Sequence, residues 1–202
     1  VGHRSLRRGS SVTARGRLLV PAVLVVNAAV QALLVIGDPT PALTPVFVLG
    51  ALASGLAWLV AYALIVARVV APGSVRPTLR ESGARFALWT VGLAVAVLVL
   101  LMPLAGVLGL LLMAATPYLP IAAMSGEANA LMANLRAIRR APWAFAWRLV
   151  AFALLIGAVL LAVALTAFFV TGVLAAFVNS LVLGAVGWVI TRSFGHEYRV
   201  AT

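Results

Sequence analysis

Residues 86–126 read FALWTVGLAVAVLVLLMPLAGVLGLLLMAATPYLPIAAMSG, 41 positions without one charged side chain. As a single helix, at about 1.5 Å per residue, they would reach about 60 Å. A bilayer's hydrocarbon core is only about 30 Å thick. The stretch therefore reads as two spans joined by a reversal, and Pro103 with Gly106 marks where it turns. The same pattern recurs on either side. Residues 18–67 hold one charge, Asp38, and residues 149–191 hold none. The turn Gly37-Asp38-Pro39-Thr40-Pro41 divides the first block, and Thr171-Gly172 divides the last. Each block is long enough to cross a membrane twice.

Four arginine clusters separate these blocks: Arg4, Arg7, Arg8, Arg15 and Arg17; Arg68, Arg76, Arg80 and Arg85; Arg136, Arg139, Arg140 and Arg148; Arg192 and Arg199. With two crossings per block, all four clusters fall on one side. Basic residues collect on the cytoplasmic side of membrane proteins, so both termini are expected there. The predicted fold is all-α and polytopic, a single transmembrane domain over residues 1–202. It has six spans in three hairpins, at residues 18–36, 42–67, 86–102, 104–124, 149–170 and 172–191. Residues 68–85 read as a basic cytoplasmic loop, and the end of the chain as a short tail.

Composition points the same way. With 64% hydrophobic and 9% charged residues in 202 positions, a water-soluble fold of this size has too little interior to hide the apolar surface. Cysteine is absent, which excludes disulfides, thiol catalysis and thiolate metal sites. The net charge of +11 could indicate nucleic acid, but here it flanks spans, a topogenic arrangement. Anionic headgroups are the expected partner, at about 1 kcal/mol per basic residue near the surface. All basic residues other than the two histidines are arginine, as in high-GC bacterial coding, so the expected location is a bacterial cytoplasmic membrane. The basic start before an apolar run resembles a signal peptide. Without a convincing cleavage site, it reads as a first span that stays.

Residues 126–141 read as an amphipathic cytoplasmic helix. Ser125 is a candidate cap, with Glu127 in the first turn. Ala128, Leu131, Met132, Leu135 and Ile138 recur at helical spacing, Asn129, Asn134, Arg136, Arg139 and Arg140 supply polar surface, and Pro142 ends it. Such a helix suits either the membrane interface or a protein partner. Trp143 and Trp147 fall where an aromatic belt belongs. Leu6-Arg7, Leu79-Arg80 and Leu135-Arg136 each precede a span, a weak threefold repeat.

Few residues carry chemistry. The carboxylates are Asp38, Glu81, Glu127 and Glu197, and none is predicted at mid-membrane depth, where ion-coupled transport places an ionisable group. Asp38 reads as a turn residue. His196-Glu197 reads as solvated tail rather than the start of a metal site. Asn27 and Gln31 share one face of the first span near mid-membrane. They can contact a polar substrate, and more commonly such amides join helices. Gly50 and Ser54, Ala105 and Gly109, and Ser180 and Gly184 are small-residue pairs that permit close helix approach. No catalytic, metal or cofactor pattern is recognisable. Arg76, Arg80, Arg136, Arg139 and Arg140 are the candidate headgroup or partner contacts.

The run MSGEANALMANLRAIRRAPWAFAWRLV at 124–150, with the ending TRSFGHEYR at 191–199, resembles a segment of poorly characterised bacterial six-span membrane families. Among these is the membrane domain attached to some glycerophosphodiester phosphodiesterases. In that pattern a small-residue turn leads to an amphipathic helix, a tryptophan and a long span. The resemblance covers about the last 80 residues and transfers no catalytic residue, because the phosphodiesterase chemistry belongs to a separate soluble domain. The expected function is that of a non-enzymatic accessory or scaffold subunit in a membrane transport or envelope-assembly complex, packed against a membrane protein or a second copy. The alternative is a permease subunit for an apolar or lipid-like substrate, driven by a cytoplasmic ATPase that docks on residues 68–85 or 125–148. A lipid-modifying enzyme is disfavoured.

Overall fold

The structure is a computed structural model that describes residues 8–36, 44–100, 106–166 and 170–201. Eight helices make up these residues: α1 (Arg8–Leu34), α2 (Pro45–Val70), α3 (Val75–Leu100), α4 (Gly106–Ala115), α5 (Leu119–Met124), α6 (Ala130–Arg140), α7 (Pro142–Thr166) and α8 (Gly172–Ala201). Four of them, over Pro45–Val70, Val75–Val99, Pro142–Leu165 and Gly172–Arg199, are long and apolar enough to cross a membrane. The apolar part of α1, Leu18–Leu34, is shorter. The reversals expected at 37–41 and at Pro103 lie outside the described residues.

Local chemistry sets the helix ends. Thr44 caps α2 by accepting the Phe47 N–H at 3.3 Å, and Pro45 takes the first position, where its missing donor costs nothing. The expected loop over 68–85 is mostly helical. Only residues 71–74 interrupt it, because Pro77 falls in the first turn of α3, where a proline is tolerated. Conversely, the fourth span expected over 104–124 is not one helix. Pro117 lacks an N–H and disfavours helical geometry at Thr116, so α4 stops at Ala115 and α5 starts at Leu119.

The amphipathic segment also starts later than expected. Ser125 closes α5, its N–H donating to the Ile121 carbonyl at 2.9 Å. Gly126 then turns the chain at φ +84°, a conformation that glycine adopts without strain. Asn129 is the cap of α6, accepting the Met132 N–H at 3.1 Å. The end expected to be a tail continues α8 to Ala201.

The main core gathers Val66 and Ala67 of α2, Phe86 of α3, all of α5, Ala130, Ala133 and Ala137 of α6, and Phe194 and Tyr198 of α8. These positions adjoin the arginine clusters, so the core lies at the basic end of the bundle. Two glycines set the approach of α8. A Cβ on Gly184 would lie 2.7 Å from Leu24 Cδ2 of α1, and one on Gly195 would lie 2.1 Å from Val69 Cγ1 of α2. Away from the basic end the helices present Leu98, Leu154 and Leu161 outward. In the most apolar 18-residue stretch of α7, no residue is buried.

Candidate functional site

The break between α4 and α5 frees backbone groups that a continuous helix would pair. A fully buried side chain on another helix takes them. Asn134 of α6 accepts the Tyr118 N–H at 3.0 Å through Oδ1 and donates Nδ2–H to the Ala115 carbonyl at 2.8 Å. One amide thus bridges both sides of Pro117, as buried polar groups require. The helical spacing alone places Asn134 on the polar surface of α6, and the structure differs. Asn134 is buried because α6 turns a small-residue face, Ala130, Ala133 and Ala137, onto α5. The larger Leu131, Met132 and Leu135 of the expected stripe stay exposed.

Tyr118 is also the hub of a side-chain cluster. Its hydroxyl donates to Glu197 of α8, and the same carboxylate oxygen forms an ion pair with Arg148 of α7. Around the Tyr118 ring stand Phe194 at 5.2 Å in an edge-on contact, Phe145 at 6.2 Å and Tyr198 at 6.2 Å. Phe152 of α7 packs on Phe194 at 5.4 Å. Tyr118 is fully buried and Glu197 nearly so. Glu197 is therefore not the solvated tail residue expected. The continuation of α8 carries it inward on the face that bears Phe194 and Tyr198, while His196 remains exposed. Across the cluster, Arg85 of α3 donates to the carbonyls of Gly126 at 2.6 Å and Glu127 at 3.2 Å, and Glu127 pairs with Arg136 at 3.4 Å. These contacts tie α3, α5, α6, α7 and α8 at one level. Their chemistry is that of a staple, because each named carboxylate faces a guanidinium rather than an open recess.

The candidate contact residues fall on two helices. Arg76 and Arg80 are exposed in the first turns of α3, where with Pro77 and Glu81 they line a shallow groove of about 520 Å³. Arg136, Arg139 and Arg140 are exposed on α6. In the polar pair on α1, Gln31 joins α1 to α2, its Nε2 donating to the Ser54 carbonyl at 3.3 Å while Ser54 Oγ donates to its Oε1 at 2.6 Å. Asn27 is buried beside an apolar groove of about 490 Å³ between the same helices, and its Oδ1 has no hydrogen-bond partner among the described residues. The sequence reading missed Tyr118, Asn134, Arg148 and Glu197 as a group. The available signal was the spacing of Phe194, Glu197 and Tyr198, which share a helical face.

No family model, no curated protein and no solved structure matches the chain.

Proposed function

We propose that this protein is a non-enzymatic multi-pass subunit of a membrane complex, crossing the bilayer six times with both termini in the cytoplasm. The observation that carries this reading is the state of α7. Its most apolar 18-residue stretch has no buried residue, and Arg148, Phe145 and Phe152, toward the basic end, supply its side-chain ties to α5 and α8 among the described residues. A helix with so much apolar surface uncovered offers packing surface to a helix of another polypeptide, where association depends on close side-chain contact. Among the carboxylates, Glu127 and Glu197 are both engaged with arginines, which supports a structural use of charge. The resemblance of residues 124–150 to bacterial six-span membrane families belongs to the same proposal, as does residence in a bacterial cytoplasmic membrane.

A photo-crosslinking residue at Leu154 or Leu161 of the full chain, activated in intact membranes, tests this. A discrete protein adduct, identified by mass spectrometry after mild-detergent purification, is the expected result. Adducts with lipid alone would overturn it. The permease reading draws on a different feature: Arg85 pins the turn that leads into α6, and α6 exposes Arg139 and Arg140. An ATPase recovered with the chain, and lost on Arg139→Glu/Arg140→Glu substitution, would favour that reading.

A further inference from the structure

Asn27 and Gln31 sit one turn apart on the same face of α1, yet only Gln31 is satisfied. Ser54 of α2 meets its amide in two hydrogen bonds. Further along, Val20 and Leu24 of α1 pack with Ile65 of α2, so the two helices run antiparallel. The next turn of α2 beyond Ser54 therefore comes level with Asn27, and Ala57 stands there beside it. Alanine offers no polar atom to an amide. Asn27 is 4% exposed, and its Oδ1 has no hydrogen-bond partner among the described residues. A buried acceptor in this state is costly unless a donor reaches it.

Asn27 is also part of the wall of the groove of about 490 Å³ between α1 and α2. The other described lining residues are all alanine, valine or leucine. Of these, Val26, Leu56 and Val60 are exposed, so the groove is open to the surroundings of the bundle. An apolar cleft of this size, set between helices and holding one polar group, has the make-up of a small-molecule site.

We propose that this groove binds an uncharged aliphatic chain carrying one hydroxyl, which donates its proton to Asn27 Oδ1. The chain lies against the valines and leucines of both helices. Rotation about χ2 of asparagine, a soft torsion, turns the buried carbonyl toward the groove. No described lining residue is charged, so a phosphate or carboxylate placed here would lose its water without gaining a counter-charge. A fatty alcohol and the free hydroxyl of a diacylglycerol share the required chemistry. The inference does not rest on the subunit reading above, whose test concerns α7.

The test is photolabelling of the full chain in phosphatidylcholine vesicles with hexadecanol, its methyl ether and hexadecane, each carrying the same diazirine. Mass spectrometry counts the label on the peptide holding Asn27 relative to α7. The alcohol is expected to label it about fivefold more than the ether, which has no proton to donate. Asn27→Leu should bring the alcohol down to the ether while the hexadecane label persists. Ala57→Ser guards against a folding defect: its hydroxyl gives Asn27 the partner that Ser54 gives Gln31, and it should also erase the preference. Unlabelled hexadecanol and unlabelled diacylglycerol then compete separately. Displacement by either supports the proposal and identifies the source, and displacement by neither overturns it. Equal labelling by alcohol and ether in the unsubstituted chain, or a preference retained in either variant, would also overturn it. So would a peptide that none of the three probes labels, as a second copy or another helix seated in the groove would leave it.

Discussion

The Glu197 carboxylate of α8 faces Arg148 of α7 while the same oxygen accepts the Tyr118 hydroxyl, so one acidic group joins three helices. Removing it leaves a cation and a hydroxyl without their acceptor. Glu197→Leu should therefore cost about 3 kcal/mol, in the range for breaking a buried pair. Arg148→Met/Glu197→Leu, which removes both charges, should cost less than Glu197→Leu alone. Denaturant unfolding in detergent measures both. A double variant as unstable as the sum of its single variants would show that the two groups do not interact.

Asn134 supplies the hydrogen bonds that Pro117 takes away. Asn134→Ala strands the Tyr118 N–H and the Ala115 carbonyl in the core, at an expected cost of about 2 to 3 kcal/mol. Asn129→Ala, at the exposed cap of the same helix, should cost about 1 kcal/mol. Unfolding midpoints that rank the two substitutions in the opposite order would contradict this account of the break.

The two close-packed glycines should respond differently to alanine. At Gly184 the obstructing atom is the end of the flexible Leu24 side chain, so a small rotation makes room. The gain in helix propensity, about 1 kcal/mol, should leave Gly184→Ala near neutral. At Gly195 the obstruction is a methyl of Val69, β-branched and buried, which cannot swing aside as easily. Gly195→Ala should cost about 1 to 2 kcal/mol net, and Val69→Ala in the same chain should recover most of it. Thermal unfolding in detergent reads each variant.

The coarse architecture was legible because hydrophobic length and charge position act over whole segments. The apolar blocks became helices, and four of those helices are long and apolar enough to cross a membrane. Gln31 was legible as a helix-joining amide, since a polar side chain on an apolar helix needs a partner. The staple was not legible. Tyr118 and Glu197 are 79 positions apart, and nothing local distinguishes a carboxylate in a helical continuation from one in a tail. Asn134 looked like surface because its neighbours Arg136 and Arg139 are polar. Alanine, the smallest side chain with a Cβ, decided which face of α6 went inward. The break at Pro117 was not legible either, and the fourth span reads as continuous to 124, for a related reason. A proline near the end of an apolar run reads as a terminus until a distant amide is seen to bridge it.

The central claim is a membrane topology with the arginine-rich, stapled end in the cytoplasm. Single-cysteine accessibility in intact cells tests it most directly, and the chain has no native cysteine to interfere. A membrane-impermeant maleimide should label Asp38→Cys in intact cells, and should label Arg80→Cys and His196→Cys only after the membrane is permeabilised. Labelling of Arg80→Cys from outside intact cells would contradict the account.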